Sequence, residues 1–251
     1  MDYKDDFEEG YFTTRHGNIF YRHHPGTGSS IFFLHGFGAN TMVWQKLVQY
    51  IDYSFDVYLI DLLGHGNSDA PKIDYTISVQ CESLLDVVGK AKVQNPSIFG
   101  HSYGGWVAAY FEYLYNLSKN IILEDPAGIS EYFTDILKST DKDTYKNEMV
   151  ERALRLNSNK EYVLRSIVEN DFKGEQLDSA KLAKITKPVL ILWGSKDQVV
   201  DTKYASVLAS HIAGSRVSII EGAGHDAHFT HAQKVAEELE SFINYSDKLK
   251  W

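Results

Sequence analysis

Short runs of β-branched and aromatic residues recur along the chain, each followed by turn-forming residues. The runs lie at 18–21, 30–34, 56–60, 97–99, 120–123, 189–193 and 216–220. Most are apolar at consecutive positions, which is typical of strands buried on both faces of a parallel sheet. Residues 15–18 have the composition of a hairpin turn between two short strand-like stretches, so we predict that the first strands are antiparallel.

Segments of helical length separate most of these runs. Helices are predicted at 41–53, 77–92, 103–117, 202–211 and 231–243. The third segment is apolar almost all round between Trp106 and Phe111, so we expect it to be buried behind the sheet. Strands that alternate with helices indicate the α/β class, with helices on both faces of the sheet.

Residues 126–187 interrupt this alternation. They are rich in charged residues and contain apolar pairs at helical spacing, such as Val163 with Ile167, but no convincing strand. We predict an inserted helical subdomain, with core segments at 1–125 and 188–251. The alternative is a solvated charged connector, although structureless loops of this length are rare in compact domains.

A candidate nucleophile lies in Gly100-His101-Ser102-Tyr103-Gly104, which fits the pattern G-x-S-x-G. The motif comes directly after a predicted strand and directly before the apolar helix. A nucleophile on such a sharp turn needs small residues two positions before and after it, because the strained backbone brings other chain segments too close for side chains. The turn also places Ser102 at a helix N-terminus, where amide groups favour developing negative charge.

A serine hydroxyl needs a base, and His225 is the best-placed histidine because it lies in a Gly-rich loop after the last predicted strand. The base needs an acceptor for its other nitrogen. Asp197 is the first choice, since it follows a strand at the sheet edge where such sites gather. Asp125 is the alternative acid, although an Asp before a Pro commonly begins a turn.

Further candidates surround this group. The oxyanion of a tetrahedral intermediate requires backbone donors, which we predict to be the amides of Tyr103 and of Phe37 in the segment His35-Gly36-Phe37-Gly38. The same segment is alternatively a simple strand-to-helix turn. We expect His35, Gly36 and His101 to support the backbone. His228 and His231 lack neighbouring metal-ligand types at a convincing spacing, so we predict no metal site and no cofactor.

Composition limits the binding partners and the cellular location that we expect. The 251 residues carry a formal net charge of −9, which argues against nucleic-acid binding because that requires clustered cations. Cys81 is the only cysteine, so an intramolecular disulfide is impossible and a reducing, cytoplasmic location is expected. The sequence contains neither a secretory leader pattern nor 18 consecutive apolar residues, so we predict no membrane span.

Taken in order, these motifs resemble the α/β-hydrolase fold superfamily, over nearly the whole chain from about Thr14 to Ile243. The motifs are those at 35–38, 61–68, 100–104, 188–197 and 222–225, and the chain order Ser, Asp, His also matches. The resemblance implies a mostly parallel eight-stranded sheet and a lid formed by residues 126–187. A serine at position 102 disfavours the relatives that use aspartate as nucleophile, such as haloalkane dehalogenases and epoxide hydrolases.

The resemblance, together with these residues, predicts a serine hydrolase, most simply a carboxylesterase on small to medium acyl esters. Carboxylesterases, monoacylglycerol lipases and carbon–carbon bond hydrolases of this fold have similar motifs, so cleavage of a C–C or amide bond stays open. A slow-turnover ligand receptor is the alternative of another class. His225 must be neutral to accept a proton, so activity should rise with pH through about 6.5, the reference value for histidine.

Overall fold

The computed structural model describes residues 7–157 and 159–248. The outer ends of the two predicted core segments, at 1–6 and 249–251, lie outside the described residues, as does residue 158 of the predicted insertion. The described chain contains one eight-stranded sheet. Its strands are β1 Glu8–Thr14, β2 Gly17–His24, β3 Ser30–Leu34, β4 Asp56–Ile60, β5 Ser97–His101, β6 Asn120–Glu124, β7 Val189–Gly194 and β8 Arg216–Ile220.

The sheet has the order β1-β2-β4-β3-β5-β6-β7-β8. β1 and β2 form the predicted antiparallel hairpin, and β2 is also antiparallel to β4. All other neighbours are parallel, from β4–β3 across to β7–β8. The predicted mixed, mainly parallel sheet is therefore confirmed, and the carboxyl ends of β5, β7 and β8 lie at one edge.

Successive side chains of the central strands enter opposite hydrophobic cores, as the period of two along a strand requires. Phe32 and Leu34 of β3 belong to one core, whereas Ile31 and Phe33 belong to the other. Both faces of the sheet are consequently covered. This arrangement explains why the strands are apolar at consecutive positions in the sequence.

Helices cover the two faces in the predicted α/β arrangement. They are α1 Ile77–Ala91, α2 Tyr103–Tyr115, α3 Ser130–Ser139, α4 Lys142–Leu156, α5 Glu161–Asn170, α6 Ser179–Leu182, α7 Lys203–His211, α8 Ala227–Thr230 and α9 Ala232–Ser246. α2 is buried along most of its length, as predicted. Among the residues with described coordinates, the helices are all too short or too polar to cross a bilayer.

The predicted helix at 41–53 is wrong in type. The segment forms two short 3₁₀ helices, Thr41–Gln45 and Leu47–Gln49. Thr41, Trp44 and Leu47 are all buried, and their spacing of three matches the three residues per turn of a 3₁₀ helix, which aligns every third side chain. Val48 and Ile51 are buried too, so the segment keeps one buried face although its backbone is not α-helical.

Residues 126–187 carry α3 to α6, so the charged segment is helical, as its apolar spacing predicts. α4 and α5 share a small core of their own, formed by Val150, Ala153, Leu164 and Val168. Phe37 and Met149 pack against this core. Since Phe37 lies in the loop after β3, the inserted helices contact the sheet edge where the candidate residues lie.

Candidate active site

Ser102 lies on a sharp turn between β5 and α2. Its backbone φ of 51° is in the left-handed region, which L-residues other than Gly rarely adopt. A Cβ at Gly100 would lie 2.2 Å from the carbonyl oxygen of Gly104, and one at Gly104 would lie 2.2 Å from that of Leu34. The two glycines predicted around Ser102 are thus required by the close approach of three backbone segments.

Backbone hydrogen bonds hold this strained turn in place. The amide of Ser102 donates to the carbonyl of Glu124 at 2.9 Å, and its own carbonyl accepts from Trp106 at 3.1 Å and Ala127 at 3.0 Å. Tyr103 begins α2, so its amide has no partner one turn earlier in the same helix. The strain is therefore sustained by β6, by α2 and by the start of the inserted segment together.

The structure brings the side chains of Ser102, His225 and Asp197 together. His225 Nε2 lies 3.0 Å from Ser102 Oγ, and His225 Nδ1 lies 2.7 Å from Asp197 Oδ2. A carboxylate only accepts hydrogen bonds, so it selects the tautomer with the proton on Nδ1. Nε2 is then free to accept the hydroxyl proton of Ser102.

Asp197 is fixed from both sides. While Oδ2 accepts from His225, Oδ1 accepts from the amides of Val199 at 2.7 Å and Val200 at 3.0 Å. The Asp197 side chain is fully buried, whereas that of His225 is 16% exposed. The carboxylate therefore has one orientation, and the imidazole keeps access to a ligand.

Asp125, the alternative acid, lies within 4.8 Å of a ring nitrogen of His225 but has no hydrogen bond to it among the described residues. Its Oδ1 accepts from the amide of Gly194 at 2.9 Å, and within the described part of the chain its buried Oδ2 has no hydrogen-bond partner. Burial, and then the neighbouring charges of Glu124 and Asp197, raise its pKa well above the ordinary value. Asp125 thus favours the neutral acid, while Asp197 is the carboxyl group that contacts His225.

A second buried histidine–carboxylate pair lies behind the first. Glu124, at the end of β6, accepts from the backbone amide of His228 at 2.7 Å and from its Nδ1 at 3.0 Å. The His101 ring lies between those of His225 and His228, at centroid distances of 4.9 and 4.5 Å. His101 Nε2 donates to the carbonyl of His225 at 2.7 Å. The loop that carries His225 is therefore bound to β5 and β6 at two points.

Burial, and then the two neighbouring histidines, lower the pKa of His101 well below its ordinary value. A neutral His101 keeps the proton that its Nε2 donates to His225 and adds no positive charge beside it. Its predicted role in supporting the backbone is consistent with these contacts.

The loop after β3 lies against Ser102. A Cβ at Gly36 would be 3.3 Å from that of Ser102, so the loop approaches closely where a glycine permits it. His35 Nδ1 donates to the Gly36 carbonyl at 2.8 Å, and its Nε2 accepts from the amide of Leu62 at 3.0 Å. Burial lowers the pKa of His35 to about 4, which leaves the ring neutral in both roles.

The inserted helices reach the same loop. The Gly38 carbonyl accepts from Asn157 Nδ2 at 2.7 Å and from Asn159 Nδ2 at 2.8 Å. Asn159 also donates to the carbonyl of Ala153 in α4. The loop that contains Phe37 is therefore connected to the end of α4.

His101, Asp125 and His225 each place one possible metal ligand within 4.8 Å of the others. A cation bound there would displace existing contacts, because both ring nitrogens of His225 and Nε2 of His101 already take part in hydrogen bonds. The raised pKa of Asp125 also disfavours the carboxylate that a metal requires. The chemistry of this group suits proton transfer better than metal binding.

Two cavities of very different size meet at Ser102. The smaller, about 40 Å³, is lined mainly by aromatic and aliphatic side chains, including Trp106 and Phe133, and by the buried Asp171. The larger, about 450 Å³, is lined by His225 and by charged side chains on both sides. Phe37 lines both cavities. The site thus has a narrow apolar side and a wide side whose lining combines apolar and charged residues.

Sequence reasoning missed several residues near this site. Glu124 was detectable in principle, since it is a charged residue at the end of an otherwise apolar strand. Asn157, Asn159 and Asp171 left no such signal, because polar residues are ordinary in a charged helical segment. Their proximity to the site depends on how the inserted helices fold back over the sheet edge.

Comparisons with known proteins agree with this architecture. The chain is 26% identical over 258 residues to the monoacylglycerol lipase abhd6-A of Xenopus laevis, covering 88% of this chain and 77% of that one. Among solved structures, a bacterial membrane phospholipase A matches with a TM-score of 0.81 at 21% identity, over 97% of this chain and 88% of the other. Carboxylesterase CesB of Bacillus subtilis matches with a TM-score of 0.76 at 18% identity, over 94% and 91%.

These structural likenesses, all below 25% identity, concern the fold. The family comparison goes further, because the sequence model described as "Alpha/beta hydrolase family" matches residues 31–238. That stretch runs from β3 into α9 and includes every predicted site residue. The chain is therefore a member of the alpha/beta hydrolase family.

Proposed function

We propose that this protein is a carboxylesterase in which Ser102 is the nucleophile, His225 the general base and Asp197 the residue that orients His225. One observation carries the proposal: hydrogen-bond distances of 2.7 and 3.0 Å connect Asp197, His225 and Ser102 in sequence. A hydroxyl becomes nucleophilic when such a base removes its proton. The esterases and lipases among its relatives support ester chemistry over other bonds.

In the proposed reaction, Ser102 Oγ bonds to the ester carbonyl carbon while its proton moves to His225 Nε2. The carbonyl oxygen takes the negative charge, and we assign its stabilisation to the amides of Phe37 and Tyr103. His225 then gives the proton to the alcohol oxygen as the C–O bond breaks. Water repeats the sequence on the acyl-serine, which releases the acid and restores the Ser102 hydroxyl.

We assign one half of the ester substrate to each of the two cavities. His225 must deliver its proton to the leaving alcohol, and it lines the larger cavity but not the smaller one. The alcohol half therefore occupies the larger cavity. The acyl half, which stays bonded to Ser102, occupies the cavity of about 40 Å³. On this measure one water molecule needs about 10–15 Å³, so this side has room for about three water molecules and accommodates a short acyl chain.

Residues 126–187 form the lid in this proposal, between core segments 1–125 and 188–251. Phe133 and Met149 line the cavities from α3 and α4, so the inserted helices contribute walls to both sides of the site. A lid of this kind excludes water and selects substrates by shape. The hydrogen bonds from Asn157 and Asn159 to Gly38 support a connection between this lid and the loop of residues 35–38, which contains Phe37.

Hydrolysis of a p-nitrophenyl ester series from acetyl to dodecanoyl tests the proposal. We expect acetyl to butyryl esters to be the best substrates, and Ser102→Ala to lower kcat/KM by about 10⁴-fold or more. Ser206→Ala, which removes an exposed hydroxyl from α7, is the matched control and should retain wild-type activity.

Undiminished activity in Ser102→Ala would contradict the assignment of the nucleophile. Inactivity of the wild type on every ester, with turnover of amide or diketone substrates, would support cleavage of another bond by the same residues. Ligand binding without turnover of any of these substrates would instead support a receptor. Best activity on dodecanoyl esters would contradict the assignment of the acyl half to the smaller cavity.

A further inference from the structure

The larger cavity has an excess of positive charge at its walls. Arg152, in α4, and Lys196, directly after β7, both line it, against one acidic side chain of comparable exposure, Asp226. The positive excess contrasts with the whole chain, whose formal net charge is −9. It is therefore a local feature of the cavity and does not follow from the composition.

Neither of these two cations has an ion-pair partner in the described part of the chain. Across residues 7–157 and 159–248, no carboxylate oxygen lies within 4.0 Å of the charged nitrogens of Arg152 or Lys196. Arg155, one turn further along α4, shows the usual arrangement for this surface, since it pairs with Glu151 at 3.4 Å. Arg155 does not line the cavity. Arg152 is thus the arginine of α4 that lines the same cavity as Ser102.

The position of the two cations identifies the half of the substrate that would meet them. Under the proposed function, the alcohol half occupies the larger cavity because His225 protonates it there. Guanidinium and ammonium groups recognise carboxylate or phosphate oxygens, and arginine does so with two parallel hydrogen bonds. The smaller cavity, by contrast, is lined by neither Arg152 nor Lys196. The charge preference therefore concerns the alcohol half alone.

We propose that the preferred substrates are short-chain esters whose alcohol half is anionic, with Arg152 and Lys196 as specificity-determining residues. This inference rests on the proposed esterase function. An anionic alcohol product would leave through the same wide cavity, so the cations would act on entry and release rather than on the reacting bond. Asp226 also lines the larger cavity. Its carboxylate repels an anionic alcohol half and so opposes the preference.

The test compares 4-acetoxybenzoate with 4-acetoxybenzamide, which is neutral, has nearly the same shape and contains only the acetyl ester. Both are acetyl esters of a phenol, and they differ by one negative charge on the alcohol half. The measured quantity is the ratio of kcat/KM for the anionic substrate to that for the neutral one. Comparing this ratio between variants cancels the different intrinsic reactivities of the two esters.

We expect Arg152→Gln combined with Lys196→Gln to lower the ratio about three- to tenfold, as two partly solvated ion pairs would. Asp226→Asn should raise the ratio. Arg155→Gln, on the same helix but outside the cavity, should leave it at the wild-type value. Raising NaCl from 0.05 to 0.5 M should lower the wild-type ratio and have less effect on the double variant, because salt screens exposed charges.

The outcomes separate this inference from the function on which it rests. Hydrolysis of both esters, with a ratio that none of these substitutions changes, would overturn the charge preference and leave the esterase proposal intact. Hydrolysis of neither ester, together with inactivity on the p-nitrophenyl series, would overturn the esterase proposal itself. An equal fall in the ratio for Arg155→Gln would show a general surface effect and would also contradict a role for the cavity residues.

Discussion

At the scale of single residues, the candidate site contains two buried carboxyl groups that differ in their hydrogen bonds and in their charged neighbours. Asp197 accepts hydrogen bonds from His225 and from two backbone amides, which stabilise its negative charge. Asp125 accepts one amide hydrogen bond and lies beside Glu124 and Asp197, and its pKa is raised well above the usual range by burial and by these charges. A neutral Asp125 adds no further negative charge beside Asp197.

This difference predicts unequal effects of removing each charge. Asp197→Asn replaces the acceptor for His225 Nδ1 with an amide that favours the wrong tautomer, so kcat for ester hydrolysis should fall by about 10³- to 10⁴-fold. Asp125→Asn preserves the shape of a group that is already neutral and should cost less than about tenfold. Steady-state kinetics on p-nitrophenyl acetate measures both. A larger loss for Asp125→Asn would exchange the two assignments.

At the scale of elements, the position of Ser102 depends on how closely β5 and α2 approach β3. The strained turn is possible only because positions 100 and 104 lack side chains. Helix α2 begins at the turn and is buried along most of its length, so it cannot shift outward to relieve a clash. A side chain added at position 100 or 104 would therefore displace Ser102.

Two glycine substitutions test this dependence. Gly104→Ala would place a Cβ 2.2 Å from the Leu34 carbonyl oxygen, so we expect it to lower the free energy of unfolding by about 1–3 kcal/mol or more and to impair activity. Gly89→Ala, at an exposed position of α1 where an added Cβ would meet no atom within 4 Å beyond the helix's own backbone, should raise the free energy of unfolding by about 0.5–1 kcal/mol. Urea unfolding measures both values. Equal effects would show that backbone approach at the turn is not limiting.

At the scale of the whole molecule, several histidines are buried and neutral. Burial lowers the pKa of His35 to about 4 and that of His65 to about 3. In an unfolded chain the same side chains titrate near about 6.5. Between these values the unfolded state binds protons that the folded state does not, so the stability present above pH 6.5 is lost as the pH falls.

We therefore expect these histidines to contribute a decline in the free energy of unfolding between pH 6.5 and pH 4, opposed by buried carboxyl groups such as Asp125, whose raised pKa favours the folded state at low pH. His35 alone should contribute about 3 kcal/mol to this decline at pH 4, from its shift of the pKa to about 4. His35→Asn removes that titration, so the variant should show a shallower dependence on pH than the wild type even where it is less stable at pH 7. Urea unfolding at pH 7, 5.5 and 4.5 provides the comparison, and parallel curves would contradict the prediction.

The local pattern of apolar residues predicted the secondary structure correctly where the conformation of a segment depends mainly on its own residues. The strands of β3 to β8 were predicted from consecutive apolar residues, and α2 from its unbroken apolar surface. The pattern at 41–53 predicted an α-helix, but the segment forms two 3₁₀ helices that bury Trp44 and Leu47 in the core. That choice depends on the core beneath the segment, which the sequence does not display.

The sequence by itself determined the α/β class, the strand–turn–helix around Ser102 and the family, because each depends on short-range pattern and on motifs in chain order. Only the tertiary structure decided which carboxyl group contacts His225, since both candidates follow strands that end at the same sheet edge. It also decided which cations line the cavity. Arg152 and Lys196 are 44 positions apart in the chain, and only the folding of the inserted helices over the sheet brings both to the same side of Ser102.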